Sequence, residues 1–374
     1  MLIFWVITIF ISLFYSITIL ILRYGWGKTK KYYSSVYKGS LFVSVIIPMR
    51  NEENNIGNIL NDITSQDISE KNYEIIVVDD HSTDNSCEIV LELCNKNPNI
   101  SLLNLPDKDF GKKKAIACGI DNAKANLIVT TDVDCRIKDT WLSTILSFYE
   151  IHKPKMMICP VEILPDKTLF SKLQSLEFAS LTGSAAGATG INRPIMCNGA
   201  NLVFEKEIFR DCKNKLPEET ISGDDVFLML AIKKLHRDKI LFLKSDKSIV
   251  YTKPQATIRE FIQQRIRWTS KSRYYSDIDI IFTASMVLIM NIFLLLSIIG
   301  IFVNFSFFPI FIYLFVLKTI IDLIFLYPVV SFFKKRKLLA FLIPLQLIYP
   351  VYISFTGILG NIVRFRWKGR RYRS

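Results

Sequence analysis

Both ends of the chain are strongly apolar. Residues 2–22 carry no charged side chain, and a second apolar region runs with short breaks from residue 280 to residue 363. About 20 apolar residues are needed for a helix to cross a bilayer, so both regions predict membrane helices. The first lacks a basic leading segment and a small-residue cleavage site, which favours a retained anchor over a secretory signal peptide.

The C-terminal apolar region predicts two complete crossings. We expect these helices over residues 280–303 and 307–333. Lys318 and Asp322 are spaced i, i+4 in the second helix, so they can pair on one face. Because charges inside a bilayer are costly, we expect that face to look inward, away from lipid.

The last apolar segment, residues 338–363, is interrupted by Pro344 and Pro350. If it crossed, the following tail, which has six Lys/Arg residues in positions 364–373, would lie outside, against the positive-inside rule. We therefore expect this segment to bend back and the tail to stay cytoplasmic.

The region between the apolar ends alternates strand and helix patterns. Ile56, Ile59, Leu60 and Ile63 recur with the helical period. Asp84 is a candidate N-cap for the second predicted helix. The predicted strands are Val43–Pro48, Glu74–Asp79, Ile100–Leu105 and Asn126–Thr131, and the other predicted helices are Asn85–Lys96 and Lys112–Lys124.

This alternation predicts an α/β domain with a mostly parallel sheet covered by helices. In such sheets ligands bind beyond the carboxyl ends of the strands. Three polar clusters follow predicted strands: PMRNE (48–52), DDHSTD (79–84) and TDVD (131–134). We therefore place the candidate site at that edge.

The net charge of +13 does not indicate nucleic-acid binding. The basic residues cluster beside the apolar segments, as at Lys28–Lys31 and 334–337, which is the distribution of the positive-inside rule. We find no nucleic-acid-binding motif. The seven cysteines include no CxxC pair and only three histidines occur, which argues against a zinc site and fits a reducing cytosol.

The acidic residues in these clusters suit a nucleotide diphosphate. Asp132 and Asp134, one residue apart beyond a strand, can reach a ribose and a divalent cation, which takes oxygen ligands. Asp80, next to Asp79, can accept hydrogen bonds from a nucleobase or ribose. The alternatives are solvated loop acids for the first pair and a turn or helix cap for the second.

Two further segments carry candidate chemistry. Gly111 and Lys112 open a helix, where a flexible residue and a cation suit a phosphate or a nucleobase edge; a solvated lysine run is the alternative. Asp224 and Asp225 precede an apolar helical pattern, and a carboxylate placed there can take a proton from a sugar hydroxyl. A pair that caps the helix is the alternative.

A helical segment, Thr257–Tyr275, carries the sequence QRIRW at 264–268. Gln264, Arg267 and Trp268, spaced i, i+3, i+4, share one face. An aromatic ring beside a cation and an amide suits a sugar acceptor and a leaving diphosphate. The alternative is an amphipathic helix at the membrane surface, where Arg and Trp are ordinary anchors.

Taken in order, DD (79–80), TDVD (131–134), GDD (223–225) and QRIRW (264–268) resemble the motifs of membrane-bound family 2 glycosyltransferases of the D,D,D,Q(Q/R)xRW type. PMRNE and GKKKA (111–115) are similar to the family's early nucleotide-binding segments. The resemblance covers roughly residues 41–275. It implies a GT-A fold, an α/β domain of Rossmann-like kind, and an enzyme that transfers a hexose or N-acetylhexosamine with inversion.

The resemblance also implies roles for individual residues. The donor would be a nucleotide-diphosphate sugar, with a UDP-sugar favoured, and Asp134 would ligate Mg²⁺ or Mn²⁺. Asp225 would be the general base, with Asp224 the next candidate. The donor would contact Pro48, Glu52, Asp79, Asp80, Lys112, Asp132 and Asp134, and the acceptor and departing diphosphate would contact Gln264, Arg265, Arg267 and Trp268.

The tail WKGRRY (367–372) is similar to the ending of several lipid-directed family members, with a basic membrane-surface tail as the alternative. We expect an anchor at 1–23, a cytoplasmic catalytic domain at 41–275, a membrane region at 280–363 and a basic tail at 364–374, in a bacterial inner or plasma membrane. The acceptor is expected to be a membrane lipid. A processive polysaccharide synthase of the hyaluronan, chitin or poly-N-acetylglucosamine type is the alternative, and an inactive scaffold is the alternative of another class.

Overall fold

The computed structural model of the chain describes residues 1–33, 37–213, 224–360, 365–367 and 370–372. The helices of eight or more residues are α1 (Leu2–Lys28), α2 (Ile56–Thr64), α3 (Ser86–Lys96), α4 (Lys112–Asn122), α5 (Trp141–His152), α6 (Leu169–Gly190), α7 (Lys206–Lys213), α8 (Asp224–His236), α9 (Ile258–Thr269), α10 (Ile278–Val303), α11 (Phe308–Phe332) and α12 (Leu342–Leu359). The strands are β1 (Val43–Met49), β2 (Tyr73–Asp79), β3 (Ile100–Asn104), β4 (Leu127–Thr130), β5 (Met156–Ile158), β6 (Val161–Ile163), β7 (Leu202–Glu205), β8 (Ile240–Phe242), β9 (Val250–Thr252), β10 (Phe365–Trp367) and β11 (Arg370–Tyr372).

The chain divides into two compact units, each built from separate stretches of sequence. The sheet unit comprises residues 29–164 and 192–253, and the helical unit comprises residues 1–28, 165–191 and 254–374. Residues 165–191 and 254–275, which lie inside the predicted catalytic range 41–275, pack with the apolar helices.

A seven-stranded mixed sheet forms the core of the sheet unit, in the order β3-β2-β1-β4-β7-β5-β8. Strands β1 to β4 are mutually parallel, whereas β7 runs antiparallel to both of its neighbours. A separate parallel pair, β6 and β9, lies in the same unit. The strand order reverses beside β1, so the carboxyl ends of β2, β1 and β4 meet at the switch point where α/β sheets bind ligands.

The predicted α/β fold is confirmed, and the predicted strands match β1 to β4 to within one or two residues. These strands read as continuous apolar runs because both faces of the sheet are covered: every residue of β2 and of β4 is buried. The first predicted helix is α2, in which Ile56, Ile59, Leu60 and Ile63 are buried as predicted.

Four helices in the described part of the chain are long and apolar enough to cross a membrane: Leu2–Lys28, Ile278–Val303, Phe305–Phe332 and Arg336–Ile358. Within the helical unit, α1 packs on α6, α10 and α11, and α12 packs on α9 and α10. The predicted pairing of Lys318 with Asp322 is confirmed, with 2.7 Å between Nζ and Oδ2. Gln346 of α12 and Tyr15 of α1 hydrogen-bond the same carboxylate, which completes a buried polar cluster.

The predicted interruption of residues 338–363 is wrong at Pro350. Helix α12 runs unbroken from Leu342 to Leu359 with Pro350 inside it, while Pro344 falls in the first turn. A proline in the first turn removes no intrahelical hydrogen bond, and an apolar helix tolerates one further in. Strands β10 and β11 pair in antiparallel fashion, and Lys368 and Gly369 between them lie outside the described residues. The side of the membrane on which the tail lies stays a prediction.

Helices α1 and α6 approach so closely that their backbones touch at two glycines. A Cβ added to Gly25 would collide with the Gly187 carbonyl, and one added to Gly187 would collide with the Leu22 carbonyl. Small residues at a helix crossing permit this distance, as they do between membrane helices.

We expect Gly25→Ala to destabilise the helical unit by about 1–3 kcal/mol, the usual cost of overpacking. The control is Gly27→Ala on the same helix, where the added carbon would meet the flexible Arg23 guanidinium at 3.4 Å. The measurement is thermal unfolding of both variants in detergent. Equal unfolding temperatures for the two variants would contradict the close crossing.

Candidate active site

The loops after β1 and β2 are held together by side-chain hydrogen bonds to the backbone. Arg50 donates to the carbonyl oxygens of Asp80 and His81 at 2.5 and 3.0 Å. The Asp79 carboxylate, 5% exposed, accepts from the Ser82 amide at 3.0 Å. Asp79 therefore shapes the turn that follows β2, and its side chain is directed into that turn.

Asp80 is the most enclosed acid of the predicted donor set. Its side chain is 4% exposed, Oδ2 accepts from the Gly111 amide at 3.0 Å, and Oδ1 lies 3.3 Å from His81 Nδ1. The His81 ring packs on Phe110 with 4.7 Å between centroids. Asp80 thus joins the end of β2 to the start of α4, and two rings lie beside it.

Gly111 adopts φ +95°, a conformation that L side chains rarely take, as it opens α4. The next residue, Lys112, forms an ion pair with Asp132, which follows β4. Both side chains are about a third exposed, so the pair is reachable from solvent. The structure therefore brings Lys112 and Asp132, which are distant in sequence, to one point at the carboxyl edge.

Asp134 lies two residues beyond Asp132 and is exposed. The neighbouring residue, Cys135, has a buried thiol. Burial first, and then the charges of Asp134 and Asp132, raise the pKa of this thiol well above its ordinary value, so it stays protonated. Within the described residues, no group of three or more His, Cys, Asp or Glu side chains is placed to hold a metal ion.

Glu52 and Pro48 lie at the end of β1, between the two acidic clusters. Both are half-buried. The Glu52 amide donates to the Ser86 hydroxyl at 2.7 Å, and its carboxylate accepts from the Asn55 amide group at 2.8 Å. The prediction of Asp84 as the N-cap is wrong: α3 begins at Ser86 and Asn85 is its N-cap residue. The Asp84 carboxylate instead accepts from the amide and the hydroxyl of Ser86.

Asp225 is fixed at the start of α8 by two backbone amides. Its Oδ2 accepts from Gly199 and its Oδ1 from Val226, both at 2.9 Å. The Gly199 carbonyl in turn accepts from the Thr130 hydroxyl at 2.7 Å, and Thr130 is the last residue of β4. Asp225 is therefore tied to the strand end that carries Asp132, while Gly223 and the Asp224 side chain lie outside the described residues.

Sequence reasoning missed the turn that holds Asp225. Gly199–Asn201 is a short 3₁₀ turn, and the Asn198 side chain accepts from the Ala200 amide at 3.0 Å. Asn201 is fully buried; it accepts from Trp141 Nε1 at 3.0 Å and donates to the Pro160 and Ser248 carbonyls. The pair Asn198-Gly199 is a turn signal that would have indicated this feature.

The QRIRW segment lies in α9, in the helical unit. Arg265 is 3% exposed and forms a two-pronged contact with Glu177 of α6, at 3.1 Å from Nε and 2.5 Å from Nη2. The Tyr352 hydroxyl of α12 donates to the same carboxylate at 2.7 Å. Burial acts to lower the pKa of Arg265, but the charges of Glu177 and Tyr352 and the hydrogen bonds to both together raise that pKa above its ordinary value.

The flat faces of this guanidinium are covered by rings. Its central carbon lies 4.4 Å from the Phe261 centroid and 4.2 Å from the Trp268 centroid. Removing one partner of a buried ion pair costs about 3–5 kcal/mol because it leaves a charge uncompensated. Gln264 and Trp268 both contact Arg265. Gln264, Arg267 and Trp268 are each half-buried.

Comparison with known proteins shows which proteins the chain is similar to. Residues 44–212 match the family model described as Glycosyl transferase family 2. The undecaprenyl-phosphate 4-deoxy-4-formamido-L-arabinose transferase of Edwardsiella ictaluri is 36% identical over 101 residues, 27% of this chain and 31% of that protein. The poly(ribitol-phosphate) beta-N-acetylglucosaminyltransferase TarS of Staphylococcus aureus is 26% identical over 241 residues, 64% of this chain and 39% of TarS.

Among solved structures, the mannosyltransferase PcManGT from Pyrobaculum calidifontis, in complex with GDP-Man and Mn²⁺, is similar with a TM-score of 0.59 and 15% identity. The similarity covers 96% of this chain and 98% of that one. The fold is therefore of the GT-A class. The match to the glycosyltransferase family 2 model covers residues 44–212, and the chain spans about a third of the length of the first two curated relatives.

Proposed function

We propose that this protein is an inverting glycosyltransferase that moves one sugar from a nucleotide-diphosphate sugar to a hydroxyl group of a membrane lipid. The family match supports the reaction type. The acidic edge of the sheet supports the donor, and the packing of α9 on an apolar helix supports the acceptor.

In this proposal the donor lies across the carboxyl ends of β2, β1 and β4. Asp80, held by the Gly111 amide, accepts from the nucleoside, and Lys112 exchanges its ion pair with Asp132 for the diphosphate. Pro48, Glu52 and Asp79 line the same edge. A UDP-sugar is favoured, and solved structures of TarS contain UDP or UDP-GlcNAc.

The two carboxylates after β4 suit a hard divalent cation. Mg²⁺ is usually bound through one or two carboxylates together with substrate phosphates, so a cluster of three protein ligands is not required. Asp134, with Asp132 beside it, would hold Mg²⁺ or Mn²⁺. The ion would supply Lewis-acid stabilisation of charge on the diphosphate. The PcManGT structure contains Mn²⁺, which supports a metal site in this class of fold.

Asp225 is proposed as the general base. Two backbone amides hold its carboxylate in one orientation at the switch-point edge. It would take the proton from the lipid hydroxyl as that oxygen attacks the anomeric carbon opposite the departing diphosphate. A single displacement of this kind inverts the configuration at that carbon. Asp224 is the second candidate for the same role.

One observation carries the lipid acceptor: the helix that bears Gln264, Arg267 and Trp268 is fastened to α12, a candidate membrane span. The Thr269 hydroxyl lies 3.1 Å from the Thr356 carbonyl of α12, and the Phe261 ring packs on Tyr352 with 5.3 Å between centroids. Side chains held at the membrane can meet an acceptor that stays in the bilayer. The undecaprenyl-phosphate relative also acts on a lipid by its name.

A processive polysaccharide synthase is the second candidate function. The QRIRW sequence favours it, since that motif is associated with processive members of the resembled family. The four candidate membrane spans within the described residues favour single addition, because processive members of the resembled family usually carry more helices. For the proposed lipid glycosyltransferase, we place the protein in a bacterial inner or plasma membrane, with its catalytic domain on the cytoplasmic side.

A donor-by-lipid screen tests the function. The full-length protein in detergent would be incubated with UDP- and GDP-sugars and with ceramide, diacylglycerol, undecaprenyl phosphate or no lipid, and released nucleoside diphosphate would be measured. We expect release to rise at least tenfold with a hydroxyl lipid. Release that depends on undecaprenyl phosphate alone would contradict the hydroxyl acceptor, and release unaffected by every lipid would contradict a lipid acceptor.

A further inference from the structure

We propose that Arg265, Glu177 and Tyr352 form a positioning clamp that holds the Trp268 ring where it contacts the acceptor. The same contacts connect α9, the helix that carries QRIRW, to α12. Arg265 is thereby a positioning residue and not itself a ligand of the diphosphate. The proposal rests on the proposed function in one respect, that Trp268 contacts the acceptor.

All three nitrogens of the guanidinium donate hydrogen bonds within the helical unit. Nε and Nη2 both face Glu177, and Nη1 donates to the Gln264 side chain at 2.5 Å. The guanidinium and the Glu177 side chain are each 4% exposed, so neither is open to a diphosphate in solution. A bidentate pair of this kind fixes the plane of the guanidinium as well as its position.

The plane matters because Trp268 packs on it. The guanidinium carbon lies 4.2 Å from the Trp268 centroid, and the Phe261 ring lies on the guanidinium at 4.4 Å. Trp268 also contacts Phe178, a neighbour of Glu177 on α6, at 6.2 Å between centroids. The orientation of the Trp268 ring is therefore set by residues of α6 and, through the carboxylate, by Tyr352.

Tyr352 connects this arrangement to the membrane helix. Its hydroxyl donates to Glu177 Oε1 at 2.7 Å and accepts from Arg265 Nε at 3.1 Å. The hydroxyl thus satisfies both members of the ion pair at once. A small displacement of α12 would therefore move the Trp268 ring, because Tyr352 is hydrogen-bonded to Glu177 and Arg265, and Arg265 contacts that ring.

The test uses Tyr352→Phe, with Tyr349→Phe as the matched control. Both remove one hydroxyl from the same helix. The Tyr349 ring contacts Tyr352 and Lys318, but its hydroxyl hydrogen-bonds neither Glu177 nor Arg265. The intact chain is labelled with 5-fluorotryptophan, and the five tryptophan ¹⁹F resonances are assigned by single Trp→Phe substitutions.

We expect Tyr352→Phe to shift or broaden the Trp268 resonance while the other four stay in place, and Tyr349→Phe to leave all five unchanged. Arg265→Lys, which keeps the charge but loses the planar fork, should move the same resonance. An unchanged Trp268 resonance in Tyr352→Phe and Arg265→Lys would overturn the clamp. Equal movement of all five resonances would show general loosening and would also overturn it.

The kinetic arm uses ceramide as acceptor. The Tyr352 hydroxyl makes two hydrogen bonds and acts on Trp268 only through Arg265, so its loss in Tyr352→Phe should raise the KM for ceramide by about two- to tenfold, with kcat and the KM for the nucleotide-sugar unchanged. Trp268→Ala separates the two proposals. If it leaves the ceramide KM unchanged, the acceptor role of Trp268 fails while the ¹⁹F result still decides the clamp; if it raises that KM and Tyr352→Phe does not, the clamp fails alone.

Discussion

Asp225→Asn should reduce sugar transfer by at least about a hundredfold, the usual scale for loss of a general base. The amide cannot take a proton from the acceptor hydroxyl, and its single oxygen can accept from only one of the Gly199 and Val226 amides. Binding of the nucleotide-sugar should change little, because the proposed donor contacts are made by other residues. Transfer is measured as product formed per minute, and donor binding by calorimetry.

The control for this variant is Asp238→Asn, an exposed acid in the short turn that follows α8. It should transfer sugar at the unmodified rate. Near-normal turnover in Asp225→Asn would move the base elsewhere, with Asp224 the next residue to test.

Removal of divalent cations should abolish transfer, and Mn²⁺ or Mg²⁺ should restore it. Lewis-acid stabilisation of several kcal/mol corresponds to a loss of at least about a hundredfold. Asp134→Ala should weaken donor binding when metal is present and change it little in chelator, because the ligand matters only with the ion bound. The measurement is donor binding with and without chelator for both proteins.

Asp139→Ala is the matched control for Asp134→Ala, since Asp139 is an exposed acid five residues further along the chain. It should bind donor normally under both conditions. An enzyme whose transfer is indifferent to chelator would remove the metal from the proposed reaction.

The sheet was predictable because its signal is local. Each of β1 to β4 is an apolar run bounded by polar residues. The buried face of α2 follows from the helical spacing of Ile56, Ile59, Leu60 and Ile63. The acidic clusters followed from the same reasoning, since parallel strands bring their carboxyl ends to one edge. The pairing of Lys318 with Asp322 was predictable because i, i+4 neighbours must meet on a helix.

Helix α6 was not predicted, because its sequence gives no clear period. Its second half, TGSAAGATG at 182–190, is made of small residues that are buried against other helices, so no face is distinctly polar. Small residues are needed in α6 because α1 crosses it closely at Gly25 and Gly187. The sequence of α6 alone does not indicate this crossing.

The arrangement around Arg265 could not be predicted for a related reason. Glu177 and Tyr352 lie 88 and 87 positions away along the chain, and nothing near Arg265 in sequence indicates them. The motif therefore suggested a ligand for the acceptor or diphosphate, while the contacts of Arg265 point to positioning. The same holds for Gly199 and Asp225, which are 26 positions apart and meet through one hydrogen bond.

The central claim is transfer of a single sugar to a lipid, and mass spectrometry of the product tests it most directly. The full-length protein would be incubated with the nucleotide-sugar and hydroxyl lipid that gave release in the screen, with Asp225→Asn in parallel. We predict one new lipid species, heavier than the acceptor by one sugar residue and at least about a hundredfold less abundant with Asp225→Asn. A ladder of products carrying many sugars, or a polymer free of lipid, would contradict this account.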